Sequence, residues 1–208
     1  MTDDSFALLH QPRRPWIDPD LLQAAFVQLA AAQHPDRVHA AGVAEQERAT
    51  RLYAALNSAH HCLREPRERL RHLLELEHWG KPAALGTAPA EIMDLFPVVG
   101  KICHDIDRFL ATADPALSPL LRVERFEKAM AWTEQATQLL DQLRSRLSPL
   151  EGLARELNAV WDAAPPAGSP ERTRALPLAR LEQLYRAWSY LSRWMGQVQE
   201  RVARLAAD

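Results

Sequence analysis

Apolar positions recur at spacings of three and four along most of this chain. Between Leu21 and Gln33, the residues Leu22, Phe26 and Leu29 share one stripe, with Ala25 and Ala32 beside them. That is the period of a helix with one buried face. Asp18 can cap its start and Pro19 suits its first position. The helix must stop near His34, because a residue before proline is pushed out of the helical region and Pro35 has no N–H to continue the ladder. A second stripe, Leu52, Leu56, Ala59 and Leu63 with Ala49 and Tyr53 at its margin, predicts a helix over 44–63. Glu45, Glu47, Arg48 and Arg51 lie off that stripe. Joined by the ten residues His34 to Val43, the two helices form an antiparallel hairpin. Its tip carries His34-Pro35-Asp36, in the exposed position where binding residues concentrate.

The stretch from Gly80 to Pro89 holds two glycines and two prolines in ten residues and reads as a linker. The expected organisation is one domain over 1–79, a linker over 80–90 and a second domain over 91–208. In the second domain, Ile92, Leu95, Phe96, Val99, Ile102, Ile106, Phe109 and Leu110 follow helical spacing, with Pro97 and Gly100 expected to bend that helix. Leu120, Val123, Phe126, Met130, Leu140, Leu143 and Leu147 mark another helix, broken near Pro149. Leu150, Leu153, Leu157, Val160 and Trp161 extend it as a separate piece. Four prolines between Ala164 and Pro177 predict a long loop. The last helix runs through Leu178, Leu181, Leu184, Trp188, Leu191, Met195, Val198, Val202 and Leu205. Three long helices with one apolar stripe each must bury those stripes together, which predicts a three-helix bundle.

Composition sharpens this to an all-α fold: 208 residues, 47% hydrophobic, seven glycines, and no alternating strand pattern or hairpin dipeptide. A net charge of −2 excludes the basic footprint of a nucleic-acid binder. The acidic start has no apolar run of the secretory type, and no apolar stretch reaches membrane-spanning length. Two cysteines, Cys62 and Cys103, make no disulfide framework and fit a reducing, cytoplasmic setting. His60-His61-Cys62 and Cys103-His104 supply metal-type ligands. Neighbouring helical positions point about 100° apart, so no metal is expected there. Gly100-Lys101 lacks the upstream glycine of a phosphate loop, since Leu95 occupies its place. With no catalytic constellation and no cofactor motif, the chain does not read as an enzyme.

Three segments in order carry a resemblance. An apolar arm, Phe6-Ala-Leu-Leu-His-Gln-Pro12, precedes the hairpin. His34-Pro35-Asp36 sits at its tip. Asn57, Ala59 and Leu63, then Pro66, Arg69, Leu73 and Leu74, close it. Together they resemble the J-domain, and more narrowly the HscB-type iron–sulfur co-chaperones. The resemblance is good over 5–78, fair at 91–110 and 181–205, and poor between those last two blocks. It implies docking on a DnaK-type (70 kDa heat-shock) chaperone through His34, Pro35, Asp36 and Arg37, with stimulation of its ATP hydrolysis. It also implies a helical second domain that holds an iron–sulfur scaffold protein. On that domain Ile92, Met93 and Phe96 match apolar contacts, Asp94 an acidic one and Tyr190 an aromatic one.

Two departures keep a second reading open. From Trp16 to Gln33 there is no lysine or arginine, although J-domains resemble one another in a basic face on this helix. Pro97, Gly100 and His104 stand where further carboxylates belong, and Ile92, Phe96 and Tyr190 are equally read as bundle core. The alternative is a J-like helical adaptor that binds another protein without stimulating a chaperone.

Overall fold

Asp4 starts the first element. Its carboxylate accepts from the N–H groups of Phe6 and Ala7 and pairs with Arg13 at 2.7 Å. The computed structural model describes residues 4–34, 42–77, 88–112 and 118–207, and every regular element there is helical. Helix α1, Ser5–Leu8, ends in a Schellman turn. Gln11 N–H donates to Phe6 O at 2.8 Å and His10 N–H to Ala7 O at 3.2 Å, with His10 at φ 53° where glycine is usual. Helix α2, Pro19–Ala32, begins as expected: the Asp18 side chain accepts from Asp20 and Leu21 N–H. Its inner face uses Leu22, Ala25, Phe26, Leu29 and Ala30; Ala32, expected on the stripe, is exposed.

Helix α3, Val43–Arg64, packs against α1 and α2, and buries Leu56, Ala59 and Leu63. It ends because Pro66 follows; Glu65 turns to ψ 114° and Pro66 opens α4, Pro66–Leu76. Most of the residues matched by the resemblance form this core, while Pro12 and Asn57 are exposed. Phe6, Leu9, Leu63, Leu73 and Leu74 are each 0% exposed. Arg69, 4% exposed, caps two carbonyls, with Nε to Pro15 O at 2.9 Å and Nη1 to Leu63 O at 2.6 Å.

The chain divides into two compact units: Met1–Ala84 with Gly152–Tyr185, and Leu85–Glu151 with Arg186–Asp208. The simple partition at the linker therefore changes, because 152–185 belongs with the first unit. The reason is specific contact. Asn158 donates to Trp16 O and accepts from Trp16 N–H, Arg14 pairs with Asp162 at 2.6 Å, and Arg155 lies 4.2 Å from the Trp16 ring centroid. These residues sit on α7, Leu147–Ala163, which starts at the break beyond Arg146 and places Pro149 in its first turn. The loop that follows is interrupted by a short helix, α8, Arg172–Ala175, whose Arg172 grips Glu77 through two hydrogen bonds of 2.8 Å. Helix α9, Leu178–Ala206, begins in this unit.

The second unit is a three-helix bundle of α5, Leu95–Ala111, α6, Pro119–Ser145, and the remainder of α9. Pro97 causes no break in α5. A 3₁₀ turn, Ala90–Ile92, precedes the helix, and Pro97 falls in its first turn, where N–H groups lack intrahelical partners anyway. Arg201 ties α9 to α5 through Asp107 at 2.5 Å. Of the stripe expected on α6, Leu140 and Leu143 are buried, but Leu120, Val123, Phe126 and Met130 are exposed. The inward positions of α6 are instead Ala129, Ala136, Leu139, Leu140 and Leu143.

Candidate functional site

The hairpin tip is built from both helix ends. Gln33 N–H bonds back to Leu29 O at 3.1 Å and closes α2. Gly42 O accepts from Glu45 and Gln46 N–H and opens α3. Between them His34 is half-buried, its ring edge-on to Tyr53 with centroids 5.3 Å apart. Pro35, Asp36 and Arg37 lie outside the described residues. Beside His34 an open cleft of about 540 Å³ is lined by Gln33, Ala44, Glu45, Arg48, Ala49 and Leu52. Tyr53 was read only as a margin of the stripe; an aromatic residue one turn from Ala49 was the available signal for a support under the tip. Further down, Phe26 stacks on His60 at 4.3 Å, and burial, with Arg64 and His61 nearby, pushes the His60 pKa down.

The outward face of α2 is uncharged apart from Asp20. It presents Leu21, 66% exposed, Val27, 53% exposed, and the exposed Ala24, Gln28 and Ala31. Of the arginines beyond α3, Arg69 is committed to the interior, and Arg71 to Glu68 and Glu75 at 2.8 and 3.5 Å. Among the described residues, the exposed arginines near the hairpin are Arg48, Arg51 and Arg64 on α3, and Arg67.

The arm before the hairpin has a proton-sensitive contact. His72, 6% exposed, stacks on Phe6, and its Nε2 accepts the Ser5 N–H at 3.1 Å, so the ring must be neutral at that nitrogen. Burial pushes its pKa down; Asp4 and Glu75 push it up but do not prevail, and Arg71 and Arg13 add to the depression. A histidine whose folded pKa lies below its unfolded value takes up protons first in the unfolded chain. Stability is unaffected at pH above about 7, falls as pH drops through about 6.5, and levels off below the folded pKa. Urea midpoints measured from pH 7.5 to pH 5 should fall more steeply for the wild type than for His72→Gln. Equal slopes would remove His72 from the account.

In the second unit, Ile92 is 1% exposed and belongs to the interior, which removes it from the expected contact set. Met93, Asp94 and Phe96 are exposed, and Val98 joins them at 38%. Asp94 is held by Arg146 at 2.5 Å, and Arg146 also donates to Glu91 O. The Phe96 ring lies 6.3 Å from that of Trp194, and Tyr190 lies 5.4 Å from Trp194. Trp194, 5% exposed, is thus the buried centre that joins the first and last helices of the bundle at this surface.

No family model matches the chain. The chain is 32% identical over 142 residues to the "Co-chaperone protein HscB homolog" of Bordetella pertussis, an alignment spanning 67% of this chain and 80% of that protein. The chain belongs to the HscB family of co-chaperones. The homologue of the same name from Burkholderia mallei is 36% identical over 95 residues, 45% of this chain and 54% of that protein. The HscB fold extends over nearly all of it. HscB from Vibrio cholerae aligns over 97% of this chain and 99% of its own with a TM-score of 0.54 at 19% identity. Human HscB aligns over 97% and 81% with a TM-score of 0.55 at 15% identity. Among the described residues of this HscB-type chain, no helix is long and apolar enough to cross a membrane.

Proposed function

We propose that this chain docks on a DnaK-type, 70 kDa heat-shock chaperone, stimulates its ATP hydrolysis, and brings it a client, an iron–sulfur cluster scaffold protein. The observation that carries the reading is His34, held against Tyr53 at the end of α2 in a chain of the HscB family. His34-Pro35-Asp36 supplies the trigger and Arg37 a basic contact. Asp36 is the acting residue, and His34 and Pro35 shape the loop. Met93, Asp94 and Phe96 with Tyr190, centred on Trp194, form the client surface. The partners are proteins, the role is that of a cytoplasmic co-chaperone, and no catalytic step belongs to this chain.

Docking proceeds by contact more than by charge. A basic α2 would steer an acidic partner and make association strongly salt-dependent. Here α2 offers Ala24, Val27, Gln28 and Ala31. Single-turnover ATP hydrolysis by a DnaK-type chaperone from the same source should accelerate when this protein is added. The acceleration should change by less than about twofold between low and moderate salt. No acceleration at any salt would overturn the co-chaperone reading. A steep loss with salt would keep it and refute docking by contact.

The adaptor reading keeps one observation in its favour, the pairing of an α2 without lysine or arginine with Pro97, Gly100 and His104 in place of carboxylates. It predicts client binding without acceleration.

A further inference from the structure

An aspartate ahead of a helix ordinarily turns its carboxylate onto the free N–H groups of the first turn. Asp94 stands in that place before α5 and makes no such bond. The local sequence explains why. The Phe96 N–H is already taken by Met93 O at 3.2 Å, and Pro97 has no N–H to give. The Asp94 carboxylate is therefore free to leave its own helix, and it meets Arg146 at 2.5 Å.

Arg146 is held there on two further counts. It caps the C-terminal end of α6, where the helix dipole favours a cation. Its Nη1 donates to Glu91 O at 3.0 Å while its Nη2 takes the Asp94 carboxylate. The pair stands among apolar groups of the client surface. Val98 lies one turn beyond Asp94 on the same face and Met93 lies beside it, each 38% exposed.

From Asp94 the outward line of α5 continues at three and four residues through Pro97, Lys101, His104 and Arg108, all exposed. Glu91 is exposed a turn before it, and Asp105 beside it is half-buried, 4.0 Å from Arg108. On this face the carboxylates of Glu91, Asp94 and Asp105 stand against the cations Arg146, Lys101 and Arg108, so it carries no net charge. A surface without net charge does not draw in a charged segment.

We propose that Arg146 is a specificity residue of the client surface: it cancels the Asp94 charge, so that the surface accepts an apolar client segment free of lysine and arginine and turns a basic one away. The inference rests on the client reading given above. When an apolar segment covers the surface, Asp94 and Arg146 lose water together and each keeps the other as partner. A basic segment would have to compete with Arg146 for one carboxylate, and Arg146 and Lys101 would both repel it.

The test is titration calorimetry of the full chain with the iron–sulfur cluster scaffold protein from the same source. Arg146→Ala should weaken binding by about tenfold or more, because Asp94 is then covered by the client without a partner. Adding Asp94→Ala to that variant should restore the affinity to within about threefold of the wild type, a recovery that damage to the bundle would not allow. Both side chains are exposed in the free protein, and circular dichroism should show both variants as helical as the wild type. Tighter binding by Arg146→Ala would mean a basic client segment and overturn the proposal. So would an unchanged affinity, or a double variant that binds no better than Arg146→Ala. These three outcomes overturn the inference alone. A wild-type chain that does not bind the scaffold would overturn the client reading and the inference with it.

Discussion

Arg172→Ala should destabilise the first unit by about 3–5 kcal/mol. The Arg172 guanidinium meets both carboxylate oxygens of Glu77 at 2.8 Å, with side-chain exposures of 8% and 2%. Its remaining nitrogen donates to Pro165 O at 2.6 Å, and Thr173 donates to Glu77 O at 3.4 Å. Removing the cation leaves a buried carboxylate and a carbonyl without their partner, and an unpaired buried charge costs more than the intact pair ever contributes. The paired replacement Arg172→Met with Glu77→Leu should therefore recover most of the loss, because it removes both desolvation costs together. Urea unfolding followed by helicity measures all three proteins. A single-variant loss below about 1 kcal/mol would show that water reaches the pair and repays it.

Asp36→Asn should abolish stimulation of the chaperone and leave stability unchanged. The change removes one charge at nearly constant volume. The described parts that hold the hairpin are the Gln33 bond to Leu29 O, the start of α3 at Gly42, and the buried line Leu56, Ala59 and Leu63. The single-turnover rate with the variant should match the chaperone alone. Tyr53→Ala should give an intermediate result, since it removes the ring that orients His34 and spares the tripeptide. A variant at position 36 that stimulates like the wild type would reject the J-domain mechanism, even if the wild type is active.

The hairpin was legible because its signals are local. Asp18-Pro19, the stop before Pro35 and the two stripes each act within one helix, and the structure places α2 and α3 within two residues of those limits. The last helix was equally plain from its nine-position stripe. What periodicity could not give is the identity of the surface that covers a stripe. Leu120 to Met130 has the spacing of a core face and lies in water, while α6 turns alanines inward. Ile92 and Phe96 have the same sequence character, and one is buried and the other exposed. The assignment of 152–185 to the first unit was illegible for a different reason. Glu77 and Arg172 are 95 positions apart, and nothing in either neighbourhood names the other. The place of Trp194 between Phe96 and Tyr190 needed two helices to be brought together.

The link between α1 and α2 bears on aggregation. Irregular chain with free N–H and C=O groups can template pairing with another molecule. Here Pro12 and Pro15 have no N–H to offer, Arg69 takes Pro15 O, and the Asn158 amide meets Trp16 at both its N–H and its C=O. One side-chain amide thus occupies the two backbone groups through which a neighbouring strand would pair with Trp16. Loss of Asn158 would unmask them on a segment that already carries a tryptophan and an isoleucine, and the cost would be seen first as self-association during folding rather than as a lower melting temperature.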